Sequence, residues 1–171
     1  KNLALTTVYN GPASGTFTAT PNTSKIQVYV RGAGGAGGQT QGQPGSAGQG
    51  APGGFGLWSV PVSQPYAVPY SIGAGGAGIP SMNPSSTQSN NGNNTVFGSG
   101  TPITSTAGGG GGTSYSAACT PLHAGKAGGS GGGATPGEAG GAGNTPPTSP
   151  SQGNKGGDGF GNPGTYTNMG T

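Results

Sequence analysis

Two sequence patterns meet without a break in Ile26-Gln27-Val28-Tyr29-Val30-Arg31-Gly32-Ala33-Gly34-Gly35-Ala36-Gly37-Gly38. The first part alternates apolar and polar residues and predicts a β-strand. From Ala33 onward the order is Ala-Gly-Gly, Ala-Gly-Gly, which is a repeat of three residues. Similar runs return at residues 74–78, 107–112, 127–132, 139–143 and 155–159. One short unit is therefore used repeatedly along the chain.

A repeat of three residues fits the polyproline II geometry, which has three residues per turn and no internal hydrogen bonds. Where glycine fills two positions in three, two edges of such a helix are bare backbone, which can approach neighbouring helices and hydrogen-bond to them. We therefore predict polyglycine II helices packed side by side in a lattice. The glycines expected to form these bare edges are Gly34, Gly35, Gly37, Gly38, Gly75, Gly76, Gly108, Gly109, Gly128, Gly129, Gly140, Gly141, Gly156 and Gly157.

Disorder and a collagen triple helix are the two alternatives to this lattice. The chain has 43 glycines and 16 prolines in 171 residues, a composition that is also typical of disordered segments. A flexible linker, however, has no reason to keep a triplet phase. Collagen needs glycine at every third position over many triplets, whereas these runs last only two or three triplets. The sequence favours an ordered lattice.

The N-terminal part predicts a small β portion with strands near residues 16–20, 25–31, 55–62 and 66–72. The first two strands are expected to form a hairpin, and Pro69 indicates an edge position for the fourth strand. The expected core consists of Phe17, Ile26, Val28, Val30, Leu57, Trp58 and Val60.

The predicted fold class is mainly irregular and β, with the β portion continuing into the polyglycine II bundle. No segment carries apolar residues at helical spacing, so no α-helix is expected. Residues 1–72 would form a β-rich base interleaved with the first glycine run, and residues 73–171 the lattice with variable loops. Together they would make one continuous domain. After Gly78 only glycine runs and inserts are expected.

The inserts between glycine runs are expected to sort to the two ends of the lattice. If consecutive runs alternate in direction, residues 39–54 and 79–106 lie at the tip, far from the strands. Run 107–112 then returns, which brings 113–123 near the base. The same alternation puts residues 134–138 and 162–171 at the tip and 145–154 at the base.

Loops on a rigid scaffold are the usual place for recognition. The residues predicted to contact a receptor are Met82, Asn90, Asn91, Asn93, Phe97, Tyr166 and Met169. Aromatic residues are enriched among interface anchors, which supports Phe97 and Tyr166. The open alternative is that Phe97 and Met82 only fix their own loop to the lattice.

The few charged residues argue against several functions. Five Lys and Arg residues are scattered along the chain, so nucleic-acid binding is not expected. No stretch is long and apolar enough for membrane insertion. Cys119 is the single cysteine and allows neither an intrachain disulfide nor a zinc site. No signal peptide is visible, and the missing initiator Met predicts that Lys1 is a processed or truncated start.

The sequence contains few side chains that commonly act in catalysis. His123 is the only histidine and is expected to be a solvent-facing loop residue. Glu138 and Asp158 are the only acids, too few for a carboxylate pair unless folding joins them. Residues 108–112 lack the Gly-Lys-Ser/Thr ending of a phosphate loop. We expect no enzyme activity, no metal and no cofactor.

Two parts of the chain resemble a known family. Residues 16–38, with Lys-Ile-Gln-Val-Tyr-Val-Arg-Gly-Ala-Gly-Gly-Ala-Gly-Gly, resemble the glycine-rich domain of bacteriophage tail fibre and tail tip proteins. Residues 53–78 resemble the next part of that domain. The later half is similar to phage adhesins that cap long tail fibres with a polyglycine II sandwich, whose variable loops bind the host receptor.

The resemblance implies a virion protein, the distal part of a phage fibre or spike that attaches to the host cell surface. Its partners would be a host receptor, either a glycan or an outer-membrane protein, and other virion fibre or spike proteins. A homotrimer would fit the threefold symmetry of fibres. Two other functions stay open: an ice-binding protein, since a snow-flea antifreeze family also uses polyglycine II bundles, and a purely structural glycine-rich spacer.

Overall fold

The computed structural model describes residues 5–38, 48–79, 88–113 and 122–160. Its strands are β1 (Ala13–Thr18), β2 (Lys25–Arg31), β3 (Phe55–Pro61), β4 (Ala67–Ile72), β5 (Thr95–Phe97) and β6 (Ile103–Ser105). The described ranges contain no α-helix, and most residues outside the strands are irregular. The predicted class, mainly β and irregular without α-helix, is confirmed.

The predicted hairpin between the first two strands is wrong. β1 pairs with β4, and β2 pairs with β3, both in the antiparallel sense. Apolar alternation predicts a strand but does not identify its partner. A turn does follow β1, where Thr23 N–H donates to Thr20 C=O at 3.2 Å, but it carries the chain from one sheet to the other.

Strands β5 and β6 were not predicted, and they change the position of β4. The larger sheet has the order β1-β4-β5-β6, so β4 is a central strand and the edge position expected from Pro69 is wrong. The β4–β5 ladder begins only at Tyr70, opposite Phe97. Pro69 lies one residue outside this ladder, where its carbonyl accepts a bond from Gly98 N–H. The missing N–H of proline therefore costs little.

The glycine runs form rows that hydrogen-bond laterally, with the direction of bonding repeating every three residues. The row at residues 106–113 donates pairs of hydrogen bonds to three neighbouring rows. The two N–H groups of each pair are three residues apart. Gly108 and Gly111 donate to Ala33 and Ala36, Gly109 and Gly112 to Ser130 and Gly133, and Ala107 and Gly110 to the side chains of Asn94 and Asn91. A three-residue repeat of direction is the pattern that polyglycine II helices produce.

The row at residues 130–135 repeats this arrangement at the other side of the lattice. Gly131 and Ala134 donate to Asn154 and Gly157, whereas Gly132 and Thr135 donate to Lys126 and His123. The rows of the described ranges comprise residues 32–38, 48–54, 73–79, 88–94, 106–113, 122–128, 130–135, 139–143 and 152–159. The interior is backbone and small side chains, with Ala36, Ala51, Ala107 and Ala134 buried.

The row at residues 106–113 leads away from the strands, so the prediction that it returns toward them is wrong. Donor and acceptor numbers rise together between this row and residues 32–38, which makes the two rows parallel. The error arises at residues 88–94, which form the returning row although they include only one glycine, Gly92. Residues 113 and 122 consequently lie at the tip rather than at the base.

A second error in the predicted path of the chain cancels the effect of the first on the later inserts. The predicted single run at 127–132 bends at residues 128–130 into two antiparallel rows. Because the direction is reversed twice, residues 136–138 still lie at the tip and residues 145–151 at the base, as predicted.

The apolar core of the β portion is smaller than expected. Val28 and Val30 are buried at 9% and 4% exposure, but Leu57 is 49% exposed. Leu57 alternates with Gly56 and Trp58 along β3 and faces outward together with Phe55. The assignment of Leu57 to the core is therefore wrong.

Candidate recognition surface

One end of the lattice gathers row ends from the whole chain, and we call it the tip surface. Gly38 N–H donates to Gly48 C=O at 2.8 Å, and Gly48 N–H donates to Gly112 C=O at 2.9 Å. Thr113 N–H donates to Leu122 C=O at 2.8 Å. These bonds join the ends of rows that are far apart in sequence.

The remaining row ends are bonded into the same surface. The Ser89 hydroxyl donates to Gly37 C=O at 3.0 Å, and the Asn90 amide donates to Ala77 C=O at 3.1 Å. Gly137 N–H donates to Gly159 C=O at 3.1 Å in the turn at residues 136–138. The tip surface is therefore a rigid platform made from the ends of many rows.

The chain leaves the described lattice at this platform after residues 38, 79, 113 and 160, and it returns at residues 48, 88 and 122. Residues 39–47, 80–87 and 114–121 lie between described rows, and residues 161–171 follow the last one. None of them contains Lys, Arg, Asp, Glu or His. Any ligand bound by these segments would be recognised without formal charge.

Three of the predicted contact residues, Met82, Tyr166 and Met169, lie outside the described residues. Asn90, Asn91 and Asn93 all lie in the row at residues 88–94 and not in a loop. Asn91 Nδ2 donates to Ala127 C=O and its Oδ1 accepts from Gly110 N–H, both at 2.9 Å. The amide of Asn91 is thus used within the lattice, whereas the Asn90 amide lies near the tip surface.

Phe97 lies in β5, at the base and away from the tip surface. Its ring centroid is 5.7 Å from that of Phe17, with an angle of 55° between the rings. This contact gives Phe97 a packing partner within the larger sheet. A receptor contact by Asn90, Asn91, Asn93 or Phe97 stays a prediction.

Most of the predicted glycines lie where a side chain would not fit. A Cβ on Gly38 would overlap Gly112 C=O, and one on Gly141 would overlap Lys126 C=O. Gly34, Gly37 and Gly75 differ, because a Cβ there meets at most one atom, at 3.5 Å or more. The triplet repeat alone does not distinguish these two groups of glycines.

Polar side chains that complete the lattice were missed by the sequence analysis. Gln152 accepts from Thr106 N–H and donates to Thr104 C=O, both at 2.8 Å. The Ser105 hydroxyl accepts from Gly32 N–H at 2.9 Å and donates to Gly54 C=O. One sequence feature could have indicated such side chains: Asn91 and Asn94 are three residues apart, which matches the repeat of the row that they contact.

His123 is buried at 8% exposure, so the expectation of a solvent-facing loop residue is wrong. It lies at the start of the row at 122–128, where its carbonyl accepts from both the N–H and the hydroxyl of Thr135. The glycine run that follows His123 begins only at residue 127, so the sequence pattern does not indicate a row that starts at residue 122. The Nε2 atom of His123 is buried and has no hydrogen-bond partner among the residues that the structure describes.

Two of the described charged side chains are paired with each other. Lys155 forms an ion pair with Asp158, and Asp158 Oδ1 also accepts from Gly140 N–H at 2.8 Å. The hydrogen bond from Lys155, followed by the one from Gly140, lowers the pKa of Asp158. The described ranges contain no cluster of His, Cys, Asp and Glu that would hold a metal ion.

Comparison with known proteins identifies a family. A family model described as a glycine-rich domain matches residues 10–171. Neither the curated proteins nor the solved structures gave a match. Within the described ranges, no helix has the length and apolar character needed to span a membrane.

Proposed function

The chain belongs to the glycine-rich domain family, and we propose that it is a virion protein, the distal part of a phage tail fibre or spike that attaches to the host cell surface. The observation that carries this proposal is the tip surface. Four separate sequences, residues 39–47, 80–87, 114–121 and 161–171, leave the lattice at the same end. A scaffold that collects its insertions on one face is suited to recognition.

The lattice supplies the rigidity that such a surface needs. The rows beneath the tip are bonded through their backbones in three directions, so residues 39–47, 80–87 and 114–121 begin and end at fixed points, and residues 161–171 begin at one. Fixed ends lower the ordering cost when a loop binds a ligand. The sequence of an insertion can change without altering the backbone bonds below it, which suits a receptor-binding protein.

The chemistry of the insertions indicates an uncharged mode of binding. They offer hydroxyls, carboxamides, Tyr115, Tyr166 and two methionines, Met82 and Met169, but no ionised side chain. Hydrogen bonds and aromatic stacking suit the hydroxyl groups of a glycan or an uncharged patch of an outer-membrane protein. Binding should therefore depend only weakly on salt, since screening acts on charges.

The test replaces residues 80–87 with a Gly/Ser sequence of equal length and measures how well the purified chain blocks adsorption of the particle to its host. The matched control substitutes Ser99 and Thr101, which are exposed in the turn at the base. We expect blocking to be lost in the tip variant and kept in the control. If the folded tip variant, and equivalent replacements of the other three sequences, block as well as the unmodified chain, the proposal is wrong.

A further inference from the structure

The β2–β3 pair forms a ribbon of two strands, and no other strand of the described residues extends it. Gly32 N–H donates to Gly54 C=O, and Val62 N–H donates to Ser24 C=O, so the directly bonded pairs are those with even numbers. In an antiparallel pair, the residues between the bonded pairs direct their N–H and C=O groups away from the partner strand. On β2 these are Lys25, Gln27, Tyr29 and Arg31.

These outward backbone groups have no partner within the described ranges. No backbone hydrogen bond from Gln27 or Tyr29 on β2, or from Leu57 or Ser59 on β3, reaches another described element. The free edges are therefore templates to which a further strand can pair.

The same residues carry the exposed face of the ribbon. Tyr29, Phe55 and Leu57 are 66%, 56% and 49% exposed. The Tyr29 and Phe55 rings lie 5.8 Å apart at 43°. Val28 and Val30 face the opposite side, where the ribbon packs on β5 and β6. Free backbone edges and an exposed aromatic cluster thus occur in one place.

Two cations lie on the exposed face of the ribbon, one at each end of β2. Lys25 and Arg31 lie on the same exposed face of β2, and Arg31 is opposite Phe55 in the register. The chain has only two acids, Glu138 and Asp158, and Asp158 pairs with Lys155. Neither cation of the ribbon therefore has a carboxylate partner among the described residues.

A second copy of this chain fits the face poorly. A twofold contact through the ribbon would bring the cations of one copy toward those of the other, and like charges at an interface are costly. An acidic polysaccharide matches the charge, but it has no N–H and C=O ladder to pair with β2. An extended acidic protein segment matches the edge, the apolar centre and the charge together.

We propose that the β2–β3 ribbon is a docking site for an extended segment of another protein, which adds as a strand at the free edge of β2. Its main chain would pair with Lys25, Gln27 and Tyr29, an apolar side chain would pack beside Tyr29, and a carboxylate would pair with Arg31. This is the mode of β-strand addition, in which the backbone gives affinity and alternate side chains give specificity. The site lies in the β portion, away from the tip surface, and goes beyond the proposed function.

The test is a selection of short random displayed peptides against the folded chain. We expect the enriched peptides to alternate apolar residues and to contain Asp or Glu. Gln27→Pro removes one outward N–H without removing a bond to β3, and it should weaken binding by about tenfold or more. Ser59→Pro is the matched control at the β3 edge and should leave peptide affinity unchanged.

A second variant tests the charge without relying on proline. Selection against Arg31→Glu should enrich Lys and Arg in place of Asp and Glu. The proposal is overturned if no peptide is enriched, if peptides bind Gln27→Pro and the unmodified chain equally, or if the charge preference does not reverse. Binding of heparin in place of peptides would also overturn it, and so would dimerisation that Leu57→Thr abolishes.

Discussion

The side-chain carbonyl of Asn91 accepts a hydrogen bond from the backbone N–H of Gly110 at 2.9 Å. Most other backbone N–H groups of the row at 106–113 donate to a backbone carbonyl of a neighbouring row. The exceptions are Thr106 and Ala107, whose N–H groups also donate to side-chain oxygens. The amide of Asn91 therefore takes the place of a peptide group in the lattice. A polar residue here has a structural use that its sequence context does not suggest.

Asn91→Ala should destabilise the fold by about 1–3 kcal/mol, because it leaves the buried Gly110 N–H without an acceptor. The measurement is the free energy of unfolding from denaturant titration. Asn93→Ala is the matched control, since Asn93 is exposed and bonds to neighbouring rows through its backbone alone. Equal stability of the two variants would show that the Asn91 amide does not belong to the lattice.

Gly35→Ala and Gly37→Ala should differ strongly although they are two residues apart. A Cβ on Gly35 would overlap the Gly109 carbonyl, while one on Gly37 has no atom within 4 Å. We expect Gly35→Ala to destabilise the chain by about 3 kcal/mol. Gly37→Ala should be neutral or stabilise by up to about 1 kcal/mol, because it restricts the unfolded chain. Thermal unfolding of both variants measures the difference, and similar melting temperatures would contradict the packing of rows.

Acid should weaken the fold through Asp158. Its pKa is lower in the folded chain than in the unfolded one, because Lys155 and Gly140 hydrogen-bond to the carboxylate. The stabilisation is therefore present above the unfolded pKa, near pH 4, and is lost as pH falls through the folded value. Unfolding free energies measured between neutral pH and about pH 2 should fall less in Asp158→Asn than in the unmodified chain. Because the pair is exposed, the effect should shrink at high salt, and an unchanged pH dependence in Asp158→Asn would rule it out.

Replacing His123 by Leu should leave stability unchanged or raise it by up to about 1 kcal/mol. The Nε2 atom is buried with no described residue as a hydrogen-bond partner, and an apolar side chain of similar size removes that desolvated group. Thr135→Val is the comparison variant, because the Thr135 hydroxyl bonds to the His123 carbonyl at 3.2 Å and its loss should be destabilising. A large loss of stability in His123→Leu would mean that the ring makes a contact that its position does not reveal.

The lattice itself could be predicted from the sequence because the glycines recur with the three-residue period of the rows. Gly32, Gly35 and Gly38 all face the row at 106–113, three residues apart. The positions of β2, β3 and β4 were also predictable from alternation, whereas β5 and β6 were not. The family match over residues 10–171 agrees with a glycine-rich chain, whereas the phage attachment role remains our proposal.

The path of the chain through the lattice could not be predicted in the same way. The row at 88–94 is built largely from asparagine, serine and glutamine, so a search for glycine triplets passes over it. One missed row reverses the direction of every row after it until a second error restores the phase. Partner strands were missed for a related reason, because β2 meets β3 only after the chain has passed through two rows, at 32–38 and 48–54.

Residue-resolved amide hydrogen exchange of the native chain tests the lattice most directly. The amides of Gly108, Gly111 and Gly132 donate to neighbouring rows at 2.8, 2.9 and 2.9 Å and should exchange slowly, near the rate of global unfolding. The amides of Gly34 and Gly37 donate to no described residue and should exchange fast. In the row at 32–38, slow exchange of Gly35 and Gly38, whose amides donate at 2.9 and 2.8 Å, beside fast exchange of Gly34 and Gly37 would establish lateral bonding between rows. Uniformly fast exchange across residues 106–113 and 130–135 would contradict the lattice and with it the rigid tip surface.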